Sequence, residues 1–171
     1  MFTDPLKNLR TLGLREDNIV ADLGAGTGYY SIALGFLVPK GKVYAVELQK
    51  DFLDTIKNKI KEAHLGNIEV IWGNVEKMGG TKIADHVVDL VLLSNILFQV
   101  EDKNNLILEA SRILRPRGRI LLIDWSDPAI IGVGNAISKT KALEMFEEKG
   151  FFLEQEIDAG SHHYGMILRK S

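Results

Sequence analysis

Apolar residues follow two repeating patterns along the chain. Short, nearly continuous apolar runs such as Val87–Leu93 are typical of strands that are covered on both faces. Between these runs, apolar residues three or four positions apart, as from Phe52 to Ala63, indicate helices. The predicted strands are Ile19–Leu23, Lys42–Glu47, Ile68–Trp72, Val87–Leu93, Arg119–Ile123, Phe151–Ile157 and Tyr164–Arg169. The predicted helices are Leu6–Leu12, Tyr29–Leu37, Phe52–Ala63, Leu106–Leu114 and a last helix from its cap at Ser138 to Lys149. Asp4 is the predicted cap of the first helix.

Strands and helices alternate in this order, and the chain then ends in a hairpin. Alternation of this kind favours parallel strands joined by helices. We therefore predict an α/β fold, with a Rossmann-like, doubly wound sheet of seven strands that is mostly parallel and has an antiparallel C-terminal strand. The 171 residues lie near the usual size of one domain, and no linker interrupts them. A single domain over residues 1–171 is expected.

Ligands of such sheets bind beyond the carboxyl ends of the strands, which all meet at one edge. The segments that this rule selects are Asp22–Tyr30, Glu47–Gln49, Gly73–Glu76, Ser94–Phe98 and Asp124–Ser126. The turn Ala159–His163 joins them if the sixth strand runs parallel to the fifth.

The loop after the first strand contains Gly24, Gly26 and Gly28. Glycines let a backbone turn sharply and approach a ligand closely, although a tight turn alone would also explain them. The dinucleotide fingerprint needs glycine or alanine where this chain has Tyr29. The loop therefore does not match that fingerprint. Asp22, just before the loop, would repel a pyrophosphate but suits a ligand with an ammonium or another cation.

Glu47 ends the second strand. A carboxylate at this place can accept hydrogen bonds from both hydroxyls of a ribose. A solvated charge at a strand end is the alternative, and the nearby glycine loop favours the ribose.

Asp22, the glycine loop and Glu47 together resemble the cofactor site of class I S-adenosylmethionine-dependent methyltransferases. Further motifs follow in the order of that family: Gly73–Glu76 near the adenine amino group, Val88–Val91 in the fourth strand, Leu114–Arg119 before the fifth and Lys149–Phe151 before the sixth. The resemblance covers about residues 9–170 and is nearest to the small-molecule group that includes quinone-biosynthesis methyltransferases. Arg117 stands where the family commonly has glycine.

The resemblance implies S-adenosylmethionine as the cofactor and no metal. Asp22 and the loop backbone would hold the methionine moiety, and Glu47 the ribose. The remaining predicted contacts are with adenine or with the methionine end. The full set of predicted cofactor-binding residues is Asp22, Gly24, Ala25, Gly26, Thr27, Gly28, Tyr29, Glu47, Leu48, Gln49, Asn74, Val75, Ser94 and Asn95.

Methyl transfer from a sulfonium does not require a catalytic side chain, because the cofactor carries its own leaving group. The candidates for a base are Asp124, after the fifth strand, and His162 and His163 in the final turn, since histidine titrates near neutrality. A capping carboxylate and an exposed turn are the alternatives. The segment Ser126–Ala136 is either a flexible substrate flap or a plain connection.

The net charge limits the kinds of binding partner that we expect. Lys and Arg total 21 and Asp and Glu total 23, a net charge of −2, so nothing attracts nucleic acid or an anionic membrane in general. The absence of cysteine excludes thiol nucleophiles and suits the cytoplasm, and neither a signal peptide nor a membrane span is expected. We expect a monomer or homodimer that acts on a small-molecule methyl acceptor.

Three functions stay open at this level. The leading one is an enzyme that methylates a small molecule. The second is a catalytically silent cofactor-binding domain, and the third is an RNA methyltransferase that acts with another subunit. About 18 residues precede the first strand, so we expect the N-terminal lid helices of the family to be short or absent.

Overall fold

The computed structural model describes residues 4–127, 129, 132 and 136–171. The strands are β1 Ile19–Leu23, β2 Lys42–Glu47, β3 Ile68–Trp72, β4 Val88–Ser94, β5 Leu114–Trp125, β6 Phe151–Ile157 and β7 His163–Lys170. The helices within these ranges are α1 Pro5–Arg10, α2 Tyr29–Leu37, α3 Lys50–Glu62, α4 Lys103–Ile113 and α5 Lys139–Glu147. None of these helices is long and apolar enough to cross a bilayer. Most of the segment Ser126–Ala136, for which a flap and a plain connection were the two predictions, lies outside the described residues.

All seven strands form one sheet in the order β3-β2-β1-β4-β5-β7-β6. The pairs from β3 to β5 are parallel, whereas β7 lies antiparallel between β5 and β6. The predicted Rossmann-like sheet with an antiparallel C-terminal strand is therefore confirmed. Because β6 runs in the direction of β5, the turn after β6 lies at the carboxyl edge, where the Ser126 N–H donates to the His162 carbonyl at 2.9 Å.

Helices cover both faces of the sheet, and this explains the continuous apolar run in β4. Val91 and Leu93 face a core that includes residues of α4 and α5, while Leu90 and Leu92 face a second core under α1 and α2. All four side chains are buried. Burial of an aliphatic side chain stabilises the fold by about 1.5–3 kcal/mol, so a strand of this kind fixes the centre of the sheet.

Helix starts follow the predicted caps. Asp4 Oδ1 accepts from the Leu6 N–H at 3.0 Å ahead of Pro5, and Ser138 Oγ accepts from the Lys141 N–H at 3.2 Å. These bonds satisfy amide groups that the first turn of a helix leaves without a partner.

The boundaries around β5 differ from the prediction. Helix α4 ends at Ile113, and β5 begins already at Leu114 rather than Arg119. The strand tolerates Pro116 because the pairing with β4 steps from Leu114 directly to Arg119, which leaves the intervening residues in a bulge. Proline has no N–H to donate to a sheet, and a bulge does not require one.

Candidate functional site

A cleft of about 770 Å³ opens at the carboxyl edge of the sheet. It gathers the ends of β1, β2 and β4 together with the segment after β3. The predicted cofactor-binding residues that line it are Asp22, Gly24, Ala25, Gly26, Thr27, Tyr29, Glu47, Leu48, Gln49, Asn74, Val75, Ser94 and Asn95. Residues far apart in sequence thus meet around one cavity, of a size usual for a small-molecule ligand.

Gly28 is not among the residues that line this cleft. It caps the N-terminus of α2 with a φ of 82°, a left-handed conformation that favours glycine. A Cβ there would lie 3.1 Å from Ile56 Cγ1 of α3. The geometry therefore explains Gly28 by a tight turn and by helix packing.

The glycine loop is tied to the end of β2. The N–H groups of Gly24 and Ala25 both donate to the Val46 carbonyl, at 2.9 and 3.0 Å. Gly24 has a φ of 78°, and a Cβ there would meet Ile96 Cδ1 at 2.4 Å. The backbone can pass so close to Ile96 because glycine carries no side chain.

Asp22 lies at the base of the loop and is 2% exposed. Its carboxylate accepts a hydrogen bond of 2.6 Å from Ser31 Oγ of α2. Burial raises the pKa of Asp22 to about 7; the Ser31 bond lowers it in part, and the charge of Glu47 raises it further. A carboxyl group in this state can gain or lose its proton near neutral pH, and a bound cation would favour the ionised form.

Glu47 is also buried, but its oxygens are well supplied with donors. Oε1 accepts from the N–H groups of Leu48 and Gln49, both at 2.9 Å. Oε2 accepts from the Gly26 N–H at 2.8 Å. A carboxylate offers about four acceptor positions, so one position on Oε2 is left for a ligand hydroxyl. The same side chain therefore holds the glycine loop and faces the cleft.

The segment after β3 forms a further part of the lining. Asn74 Oδ1 accepts from the Glu76 N–H at 2.9 Å, and the Val75 side chain is buried. Leu48, which also lines the cleft, is half-exposed, and its carbonyl accepts from Trp72 Nε1 at 3.0 Å.

Several lining residues lie outside the segments that the sequence selected, namely Val46, Phe52, Gln99 and Val100, whereas Tyr30 ends the selected segment Asp22–Tyr30. Phe52 belongs to helix α3, and Val46 lies one residue before the end of β2. Gln99 and Val100 come from the turn after β4. Helical spacing assigns Phe52 to a core, and nothing in the sequence shows that this face also borders a cleft.

The donor and acceptor groups of the cleft fit S-adenosylmethionine. Its lining includes two buried acceptors, Asp22 and Glu47. In addition, the buried Asn95 Oδ1 has no hydrogen-bond partner among the described residues. The cofactor carries a cationic amino-acid end and ribose hydroxyls, so its donors match these acceptors. Glu47 was expected to accept from both ribose hydroxyls, but its three backbone bonds leave one acceptor position for a hydroxyl.

Asp124 is buried between two backbone segments. Its Oδ1 accepts from the Trp125 N–H at 2.8 Å, and its Oδ2 from the Leu97 N–H at 2.9 Å. Burial raises the pKa of this carboxyl group, while these backbone bonds lower it in part. Of the described residues, those that line the cleft do not include Asp124. The contacts favour a tie between β5 and the segment after β4, and a role as base stays a prediction.

The two histidines of the final turn differ. His162 is partly exposed, whereas His163 is buried and stacks on Trp125 with ring centroids 4.1 Å apart. Burial, together with the nearby charge of His162, lowers the pKa of His163. Its Nε2 has no partner among the described residues, but the described cleft lining includes neither histidine. Their catalytic role also stays a prediction.

This sheet order, with an acceptor-lined cleft beyond its carboxyl edge, defines the class of S-adenosylmethionine-dependent methyltransferases with a Rossmann-like fold. A family model described as a methyltransferase domain matches residues 14–162. The chain therefore belongs to this family, and S-adenosylmethionine is the cofactor that this membership assigns to it.

Similar proteins support the same family. A demethylmenaquinone methyltransferase from Geobacillus sp. is 28% identical over 125 residues, which are 72% of this chain and 52% of the relative. A ubiquinone/menaquinone biosynthesis C-methyltransferase from Haemophilus ducreyi is 30% identical over 118 residues, which are 68% of this chain and 44% of that protein. The chain thus spans about half the length of these curated relatives.

A solved structure of a SAM-dependent methyltransferase from Aquifex aeolicus superposes with a TM-score of 0.88. The match covers 99% of this chain and 91% of that one, at 24% identity. A likeness at this identity shows the shared fold, and functional conclusions depend on the site.

Proposed function

We propose that this chain transfers the methyl group of S-adenosylmethionine to a small-molecule acceptor. The observation that carries the proposal is the pair Asp22 and Glu47, two buried carboxylates that line one cleft and are joined by the glycine loop. They lie near the carboxyl ends of two neighbouring parallel strands, which suits one ligand with a cationic end and a ribose.

When bound, S-adenosylmethionine supplies an electrophilic methyl group and its own leaving group. The chain's own residues then have to bind, align and exclude water. Asp22 would favour the cationic end, and Glu47 would accept from the ribose. Ser94 and Asn95 lie at the end of β4, where they would border the reacting methyl group.

We place the acceptor in the quinone-related class, in its reduced form. The relatives are named for demethylmenaquinone and for ubiquinone/menaquinone biosynthesis. An electrophilic methyl group needs an electron-rich partner, which a hydroquinone ring is and a quinone is not. A new carbon–carbon bond would form as the sulfur–carbon bond breaks, and the ring carbon would then lose its proton.

Aromatic side chains at the rim support this acceptor class. Tyr29 is half-exposed at the cleft and packs edge-to-face on Tyr30, with centroids 6.2 Å apart. Such surfaces favour a flat ring through offset or edge contacts.

Transfer of labelled methyl groups tests the proposal directly. The protein is incubated with methyl-labelled S-adenosylmethionine and either a reduced demethylmenaquinone, an unrelated small-molecule panel or transfer RNA. We expect label in the hydroquinone. Binding of cofactor without label in any acceptor would favour a silent binding domain, and label in RNA would favour the nucleic-acid alternative; either result would overturn the proposal.

A further inference from the structure

A fully buried carboxylate lies outside the cleft, in the middle of α4. Glu109 is 0% exposed, although a charged group is costly to bury. It is paired with Arg112, whose Nε and Nη2 donate to its two oxygens at 2.9 and 2.7 Å. Arg112 also contacts the exposed Asp85 at 2.6 Å. An ion pair alone would not need to lie this deep, so its other partners identify what it does.

Those partners are the backbone on either side of Gly80. Glu109 Oε2 accepts from the Gly79 N–H at 2.9 Å. Its Oε1 accepts from the N–H and the hydroxyl of Thr81, at 3.2 and 2.6 Å. Burial on its own would raise the pKa of Glu109, but these bonds and Arg112 lower it to about 2. The carboxylate therefore stays ionised and keeps its hydrogen bonds to this segment throughout the physiological pH range.

The segment Gly79–Thr81 is in direct contact with residues that line the cleft. The Gly80 carbonyl accepts from the Asn74 N–H at 3.1 Å. A Cβ on Gly73 would lie 2.5 Å from the Gly80 carbonyl oxygen, and a Cβ on Gly80 would lie 2.0 Å from the Asn74 carbonyl oxygen. The two backbone segments thus touch without room for a side chain, and a shift of one must shift the other.

Helix α4 holds the wall at a second point. The N–H of Asp102, the residue that caps α4, donates to Glu76 Oε1 at 2.7 Å. The segment that carries Asn74 and Val75 is therefore connected to α4 at two points. One is the N-terminus of the helix, and the other is Glu109, through Gly79–Thr81.

We infer that Glu109 is a positioning residue for the adenine end of the cleft, acting through Gly79–Thr81 on Asn74. The inference rests on the proposed function, since it takes Asn74 and Val75 to face the base. Glu109 does not line the cleft, so it acts on base recognition without touching the ligand.

Selectivity between two bases tests this role. S-adenosylhomocysteine and S-inosylhomocysteine differ only at the edge of the base that Asn74 and Val75 would meet. Calorimetry should show that the wild-type protein prefers adenine, and that Glu109→Gln reduces this preference by about tenfold, the value of one charge-assisted hydrogen bond. A merely structural role would lower stability but leave the ratio of the two affinities unchanged.

Two milder variants separate the contacts. Thr81→Val removes the hydroxyl donor and should reduce the preference for adenine by a smaller factor than Glu109→Gln does. Thr81→Ser keeps the hydroxyl and should keep the wild-type preference. Asp85→Asn removes the exposed partner of Arg112 and should leave the preference unchanged.

The outcomes are distinct. If the wild-type protein binds neither ligand, the proposed function fails and the inference falls with it. If the wild-type protein selects adenine but the folded Glu109→Gln variant selects it equally, the inference alone is overturned. Should Glu109→Gln not fold, an unchanged preference in Thr81→Val overturns it instead.

Discussion

Asp22 and Glu47 line the same cleft from neighbouring strands, but they differ in the hydrogen-bond donors that surround them. Glu47 accepts hydrogen bonds from the backbone of three residues, whereas the donors to Asp22 belong to Ser31 alone among the described residues, with its Oγ at 2.6 Å. A buried carboxylate with few donors is costly to ionise. Asp22 is therefore the group through which pH should act on the cleft.

The affinity for S-adenosylhomocysteine should fall as the pH is lowered through about 7. The protonated Asp22 must lose its proton to face the ligand's ammonium group, so the dissociation constant should rise by up to about tenfold per pH unit below the pKa. Titration calorimetry between about pH 5.5 and 7 measures this dependence.

Two variants check the assignment. Asp22→Asn should weaken binding and abolish this pH dependence. Ser31→Ala removes a bond that lowers the pKa, so the midpoint should move to higher pH. A midpoint that stays in place in both variants would show that another group titrates.

The free protein should respond in the opposite sense. The pKa of Asp22 is raised on folding from 3.8 to about 7, so the folded state binds the extra proton between these values. Its contribution to stability is fully present below pH 3.8 and is lost as the pH rises through about 7. Stability is lost because Asp22 ionises while it is buried, next to the place that the cationic end of the ligand is proposed to occupy.

At the scale of elements, the patterns that could be predicted were those set by local rules. Caps at Asp4 and Ser138 follow from side-chain geometry, and the apolar run of β4 follows from cover on both faces. The start of β5 could not be predicted in this way. Its first residues pair with Val88 across a bulge, which depends on a partner strand far away in sequence rather than on local preference.

Arg117 in this bulge offers a direct test. Its φ is 62°, a left-handed conformation that costs a residue with a Cβ about 1 kcal/mol relative to glycine. Its side chain is exposed, and the contact from Arg169 Nη1 uses its carbonyl. Arg117→Gly should therefore stabilise the protein by about 1 kcal/mol in urea denaturation.

Arg117→Ala is the matched control, because it removes the same side chain but keeps the backbone cost. It should leave the free energy of unfolding nearly unchanged. Loss of stability in the glycine variant would mean that the arginine side chain contributes more than its exposure indicates.

At the scale of the whole molecule, the fold and the position of the cleft could both be predicted from the order of strands and helices. The carboxyl-edge rule selected Asp22, Glu47, Asn74 and Ser94, and the structure brings them together around one cleft. Buried support such as Glu109 could not be predicted, because a charged residue on a helix normally indicates an exposed face. The partners of Glu109, Gly79 and Thr81, come from a distant segment that no periodicity relates to α4.

The surroundings of His163 could not be predicted from the sequence pattern either. His163 was expected in an exposed turn or as a base, and the structure buries it against Trp125. Its place next to the carboxyl edge depends on β7 lying between β5 and β6. That strand order depends on the whole sheet and cannot be predicted from the sequence of any single strand.

We expect this cleft to bind S-adenosylmethionine with Glu47 on the ribose. Calorimetric titration of S-adenosylhomocysteine into the wild-type protein, Glu47→Gln and the exposed control Glu69→Gln tests it most directly. We expect binding by the wild-type protein and the control, and a loss of about 10- to 100-fold in Glu47→Gln, since charge-assisted hydrogen bonds are worth about 1.5–3 kcal/mol. No binding by the wild-type protein, or equal binding by all three, would contradict the account.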